Sequence, residues 1–181
     1  MSRIAFYTFG ILREPKGHAQ VQGFYDRLDA TFETAENAEG FIDRDRLIGE
    51  DQRSWGPMVR PRFFDQNRHA HAPATLSLWT DLESVYAFAY RSTHGEAFQK
   101  RREWFLKPEW PTYVAWWVDD HHIPTRVEAS QRLEYIHDHG STPYAFDFKQ
   151  PFDEERQPKE LDRKLIQECI KSNEHRKQAH H

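Results

Sequence analysis

Cysteine is almost missing from this chain. Cys169 stands alone among 181 residues, which excludes an internal disulfide and points to a reducing compartment. Long apolar runs are missing as well: no stretch approaches the ~18 residues that a membrane helix needs. The opening MSRIAFYTFGIL has neither the basic region nor the apolar length of a signal peptide, so the expectation is a cytoplasmic protein. There is little excess of charge: 29 acidic residues against 25 Lys plus Arg give −4, which argues against a nucleic-acid partner. No Walker loop, GxGxxG or GxSxG is present, and the common nucleotide and serine-hydrolase readings fall away with them. Aromatic rings, by contrast, are plentiful. Thirteen Phe, seven Tyr and six Trp make 14% of a chain that is only 38% hydrophobic, so large rings must build much of the core and line a cavity or interface.

The order of elements follows from periodicity. Residues 4–12 (IAFYTFGIL) are apolar on both alternating sets, as in an inner strand covered on both faces. Residues 21–38 place Phe24, Leu28, Thr31, Phe32 and Ala35 on one helical face, with Gly40 as the stop before a strand containing Phe41. Residues 50–73 have no clean period, and at that length they are either a lid-like functional loop or an excursion over the surface. Residues 74–79 read as a strand and 81–91 as a helix capped by Asp81. Thr93 and Glu96 fit a capping box, which splits the helical stretch and opens a new helix over 94–106. Residues 111–118 form a strand. Thr125 with Glu128 opens a helix that runs to His139 and stops at Gly140, and 144–148 (YAFDF) reads as a fifth strand. A charged tail follows from residue 153, with a short amphipathic helix over 161–170 and a frayed end.

Without its last part this order is β-α-β-β-α-β, an α+β ferredoxin-like split βαβ protomer spanning residues 1–152, with an irregular insertion and a charged C-terminal extension over 153–181. Such a sheet carries helices on one face, and an apolar opposite face predicts a homodimer that stacks two sheets. The candidate site lies on the 94–106 helix, where His94, Ala97, Phe98, Arg101, Trp104 and Phe105 share one face. An arginine within an apolar stripe suits a substrate carboxylate, carbonyl or phosphate, and otherwise pairs with Asp43, Asp45 or Asp147. His94 at a helix start is held neutral by the dipole and suited to accept a proton, and Tyr90 can join it. The catalytic candidates are therefore His94, Arg101 and Tyr90, with Trp104 and Phe105 among the ring-binding candidates. The pairs His69/His71, His121/His122 and His137/His139 lack zinc-site spacing, so no metal is expected.

The segments AFYTFGIL, SLWTDLESVYAFAYRSTHGEAFQKRREWF, PTYVAWWV and IPTRVEASQRLEYIHDHGSTPYAFDF, with the PF that follows, resemble a bacterial family of unknown function. That family is similar to the antibiotic-biosynthesis monooxygenases of the dimeric α/β-barrel superfamily, and the likeness covers residues 4–152. The resemblance implies a dimeric α/β barrel with a pocket in each protomer. It also implies a small-molecule enzyme on an aromatic or carbonyl-bearing substrate, of the cofactor-independent monooxygenase kind. His94 would be the base, Arg101 the anion holder, and Tyr7, Phe98 and Trp116 the walls around the ring. A haem or hydrophobic-ligand-binding protein and a non-catalytic homodimeric module stay open as alternatives; no cofactor is predicted, haem being the one that the superfamily admits.

Overall fold

A computed structural model describes residues 2–46, 54–91 and 96–179, with the backbone alone for 91, 96–99 and 179. Four strands form one antiparallel sheet: β1 (Arg3–Phe9), β2 (Phe41–Arg44), β3 (Ala74–Trp79) and β4 (Tyr113–Val118). Their order across the sheet is β2-β3-β1-β4, so β1 and β3 occupy the centre, the split βαβ topology expected of the sequence. The register opposes Tyr7 to Leu76 on one side and to Val114 on the other.

Because side chains alternate along a strand, β1 sends Ala5, Tyr7 and Phe9 to one face and Ile4 and Phe6 to the other. The second face packs Trp79, Ala115 and Phe146 against Leu82 and Val85 of the helix α3 (Leu82–Arg91). The first face, with Leu76, Leu78, Val114 and Trp116, is covered by Ala129, Leu133 and Ile136 of a later helix and by Trp55, Phe63 and Phe64 of the long insertion. Both faces are thus closed by this chain itself. The apolar face expected to stack on a second sheet carries α5 residues and the insertion.

The long helix expected over 21–38 is two helices, α1 (Ala19–Tyr25) and α2 (Leu28–Glu36). Close packing explains the break: a Cβ on Gly23 would lie 3.1 Å from Trp104, so α1 rests on the helix α4 (Glu96–Trp104) while α2 goes on to β2. Residues 92–95, where the capping box was expected to divide α3 from α4, lie outside the described residues. The helix α5 (Arg126–His139) has its expected ends: Thr125 Oγ1 accepts from the Glu128 amide, and Gly140 at φ 74° closes it.

Two expectations fail. Residues 144–148 are not a strand but touch β4 through one bridge, Ala115 with Phe146, because Asp147 turns the chain by accepting from the amides of Lys149 and Gln150. The short helix expected over 161–170 is a longer one, α6 (Arg163–Ala179), which docks on α3 and buries Ile166 and Cys169 against Ala87; residues 180–181 of the expected frayed end lie outside the described residues. Among the described residues, no helix is long and apolar enough to cross a membrane.

Candidate functional site

The residues singled out in the sequence separate into three places. Tyr7 and Trp116 lie on the α5 side of the sheet. Tyr90 lies on the other side, stacked on Tyr86 with ring centroids 4.1 Å apart and next to Phe148. Beside this stack burial pushes the Tyr113 phenol up to about 12, and its oxygen accepts from the Phe148 amide. Trp104 and Phe105 belong to a third cluster with Leu12, Val21, Phe24 and Tyr25. His94 lies outside the described residues, as does the Phe98 side chain.

Arg101 is exposed and not part of a buried stripe. Its guanidinium sits 5.9 Å from the Phe105 ring centroid, and the protein crowding it lowers its pKa from the ordinary arginine value by desolvation. Among the described side chains, α4 packs through Trp104 onto α1. Asp45, one proposed partner for Arg101, is taken by Arg126 instead.

A different set of groups converges where the end of β1 meets the insertion. Tyr7 is 2% exposed, and burial raises its phenol above the usual tyrosine range, with Arg126 and Arg60 pulling the other way. The insertion crosses above it, pinned at two points. At the first, Arg126 binds Asp45, whose second oxygen accepts from the Trp55 amide at 2.9 Å. At the second, Arg62 pairs with Asp138 while its own amide donates to Glu134 at 2.8 Å. This segment is therefore strapped to α5. Between the pins, Arg60 lays its guanidinium over Phe64, 4.9 Å from the ring centroid.

From below, the His71 carbonyl accepts from the Leu12 amide at 2.9 Å, which brings the imidazole beside Tyr25, with ring centroids 6.4 Å apart. Lys16 stands at the mouth, 5.4 Å from the centre of the Tyr25 ring. Burial, then Arg60 and Lys16, hold the His71 pKa below its ordinary value, so this imidazole is neutral near pH 7. Trp110 completes the wall by stacking on Phe63 at 6.0 Å and meeting Phe9 edge-on. Gly10 gives this corner its shape: a Cβ there would come within 2.6 Å of the Phe105 ring, so only glycine lets that ring close over β1.

Three buried polar atoms of these residues have no hydrogen-bond partner among the described residues: Arg60 Nε, Tyr25 Oη and Trp110 Nε1. Buried donors are rarely left unpaired, and each such loss costs roughly 1–3 kcal/mol. A fourth orphan, Arg3 Nε, lies at the far end of β1, where the same guanidinium braces the carbonyls of Asp119 and His122.

The sequence reading missed Arg60, Tyr25, His71, Lys16 and Trp110. Its only hints were the RPRFF run and the His69/His71 pair, neither of which carries a period.

An open groove near His122 offers a contrast. Glu128 opens α5, yet its carboxylate leaves the cap and accepts from Trp116 Nε1 at 2.9 Å and Arg132 at 3.0 Å, with His122 on its other oxygen at 2.8 Å. Burial pushes this carboxyl up, but His122 and Arg132 outweigh it and lower its pKa. In that network both Glu128 oxygens and the Trp116 indole N–H have partners. Among the described residues, no group of three or more His, Cys, Asp or Glu side chains could hold a metal ion.

A family model described as "Domain of unknown function (DUF3291)" matches residues 3–163. No curated protein and no solved structure matches the chain.

Proposed function

The chain belongs to the DUF3291 family, and from that premise we propose that it binds a small aromatic or carbonyl-bearing molecule in the corner formed by Tyr7, Tyr25, Arg60, His71 and Trp110. One observation carries the reading: Arg60 Nε, Tyr25 Oη and Trp110 Nε1 are buried without a hydrogen-bond partner among the described residues, and each of these side chains lies against an aromatic ring. An oxygen acceptor on a flat ligand satisfies them while its ring takes the apolar walls of Phe63, Phe64 and Trp110, the usual division of labour in a small-molecule site. The buried aromatic clusters agree with such a pocket. Oxygenation of that molecule without a cofactor, as the resemblance implies, is the catalytic extension of this reading. Trp104 and Phe105 pack with Tyr25 at the edge of this corner, and in this reading His71 takes the role first given to His94.

Acetophenone is a suitable neutral probe, read by tryptophan fluorescence or by saturation-transfer NMR. Binding to the unmodified protein is expected, and Tyr25→Phe with Trp110→Phe should weaken it about tenfold, the loss of two net hydrogen bonds. No binding at millimolar probe, or an affinity untouched by the double substitution, contradicts the reading.

A further inference from the structure

The charges around this corner do not balance. Arg126 is neutralised by Asp45, and Arg62 by Asp138. Glu134, the acidic group that bears on Tyr7, is turned to Arg62, accepting its amide and lying 4.0 Å from its guanidinium. That leaves Arg60 and Lys16, and among the described residues neither forms an ion pair with a carboxylate. Arg60 meets a ring face, as does Lys16. Between them stand a neutral imidazole and two phenols, groups that donate or accept but carry no compensating charge.

A half-buried guanidinium with an unpartnered Nε is expensive in an apolar setting, and an anion at bonding distance removes that cost. A planar guanidinium also fits an oxyanion better than any other ligand group, offering two parallel N–H donors. The exposed ammonium of Lys16 at the mouth adds a second positive centre on the path of entry.

We propose that the ligand of this corner is an anionic aromatic compound whose carboxylate is received by Arg60, with Tyr25 Oη as a further donor and Lys16 at the entrance. The proposal rests on the small-molecule reading above and names the charge and head group of the ligand. Arg60 and Lys16 are then the determinants of specificity: they separate an acid from its neutral analogue of the same shape.

The experiment compares benzoate with benzamide, near-isosteric and differing in charge, by titration calorimetry on the full chain. Phenyl phosphate is a third arm that tells a carboxylate site from a phosphate site. Benzoate should bind at least about tenfold more tightly than benzamide, the margin expected of a charge-assisted contact, and more tightly than phenyl phosphate. Arg60→Gln should remove most of that preference, weakening benzoate about tenfold more than it weakens benzamide. Lys16→Gln, at an exposed position where folding is not at issue, should reduce the preference and weaken its salt dependence. Arg68→Gln, also exposed on the insertion, should change nothing. Equal binding of benzoate and benzamide, or a preference that survives both Arg60→Gln and Lys16→Gln, overturns the anion proposal and leaves the small-molecule reading standing. Tighter binding of phenyl phosphate overturns the carboxylate assignment. Failure of acetophenone, benzoate and benzamide alike overturns both.

Discussion

Asp45→Ala should cost the protein about 3–5 kcal/mol, and Arg126→Met a similar amount, because each leaves the other member of a buried ion pair uncompensated. The side chains are only 3% and 10% exposed, so solvent cannot take over the abandoned charge. The effect reaches beyond the pair. Asp45 also accepts from the Trp55 amide, the Arg126 amide donates to the Trp55 carbonyl at 3.2 Å, and Arg126 reaches the Met58 sulfur at 3.0 Å. These contacts tie the start of the insertion to α5, and Trp55 is part of the core under it. Urea unfolding of both single variants and of the double variant Asp45→Leu with Arg126→Met gives the coupling directly. Most of the loss should return in the double variant, since apolar replacement of a whole buried pair is often neutral. Two small, additive losses would show that the pair does not hold the insertion down.

The second large effect concerns the C-terminal segment. A chain ending at Phe152 should be less stable by about 3–5 kcal/mol, because Leu161 and Ile166 no longer cover α3, and each such side chain contributes roughly 1.5–3 kcal/mol on burial. Polar contacts go with them. Glu83, 1% exposed, holds Lys159 Nζ at 2.9 Å and the Asp162 amide at 3.1 Å, and Glu39 binds Arg176 and the Ser172 hydroxyl. Glu83 becomes hydrated in the shortened chain, which limits its share of the loss, so the apolar cover dominates. Thermal melts of the full and shortened chains compare the two. Coincident midpoints would mean that residues 153–181 form a separate tail after all.

Where local signals set the structure, the sequence was readable. The alternation in β1, the Thr125 cap with its Gly140 stop, and the short apolar runs of β3 and β4 each act over a few neighbouring residues, and the structure repeats them. What failed was decided by distant partners. The break between α1 and α2 depends on Trp104 fitting against Gly23, across some eighty positions of chain. In α6 the apolar face is sparse, chiefly Ile166, Cys169 and Ile170, and its length makes sense only beside Ala87 and Glu83 of α3. Residues 144–148 have strand composition, yet Asp147 uses its carboxylate to turn the chain.

The site was harder still to read. Arg101 looked buried because a helical face was projected from the sequence, whereas its side chain is exposed beside the Phe105 ring. Arg60 and His71 sit in a segment without period, positioned by two ion-pair pins and by the Leu12 amide on the His71 carbonyl. A functional corner assembled from a loop leaves no spacing to find. That Tyr7 and Trp116 share a face of the sheet follows from strand alternation only once the register of β1 against β4 is known.

The most direct test of the account is a crystal structure of the full chain soaked with benzoate. The account predicts ligand density with its carboxylate at hydrogen-bond distance from Arg60 and Tyr25 Oη, and its ring beside Phe63, Phe64 or Trp110. Benzoate bound only elsewhere, for example in the groove beside His122 and Glu128, with water alone against Arg60 and Tyr25, would contradict it.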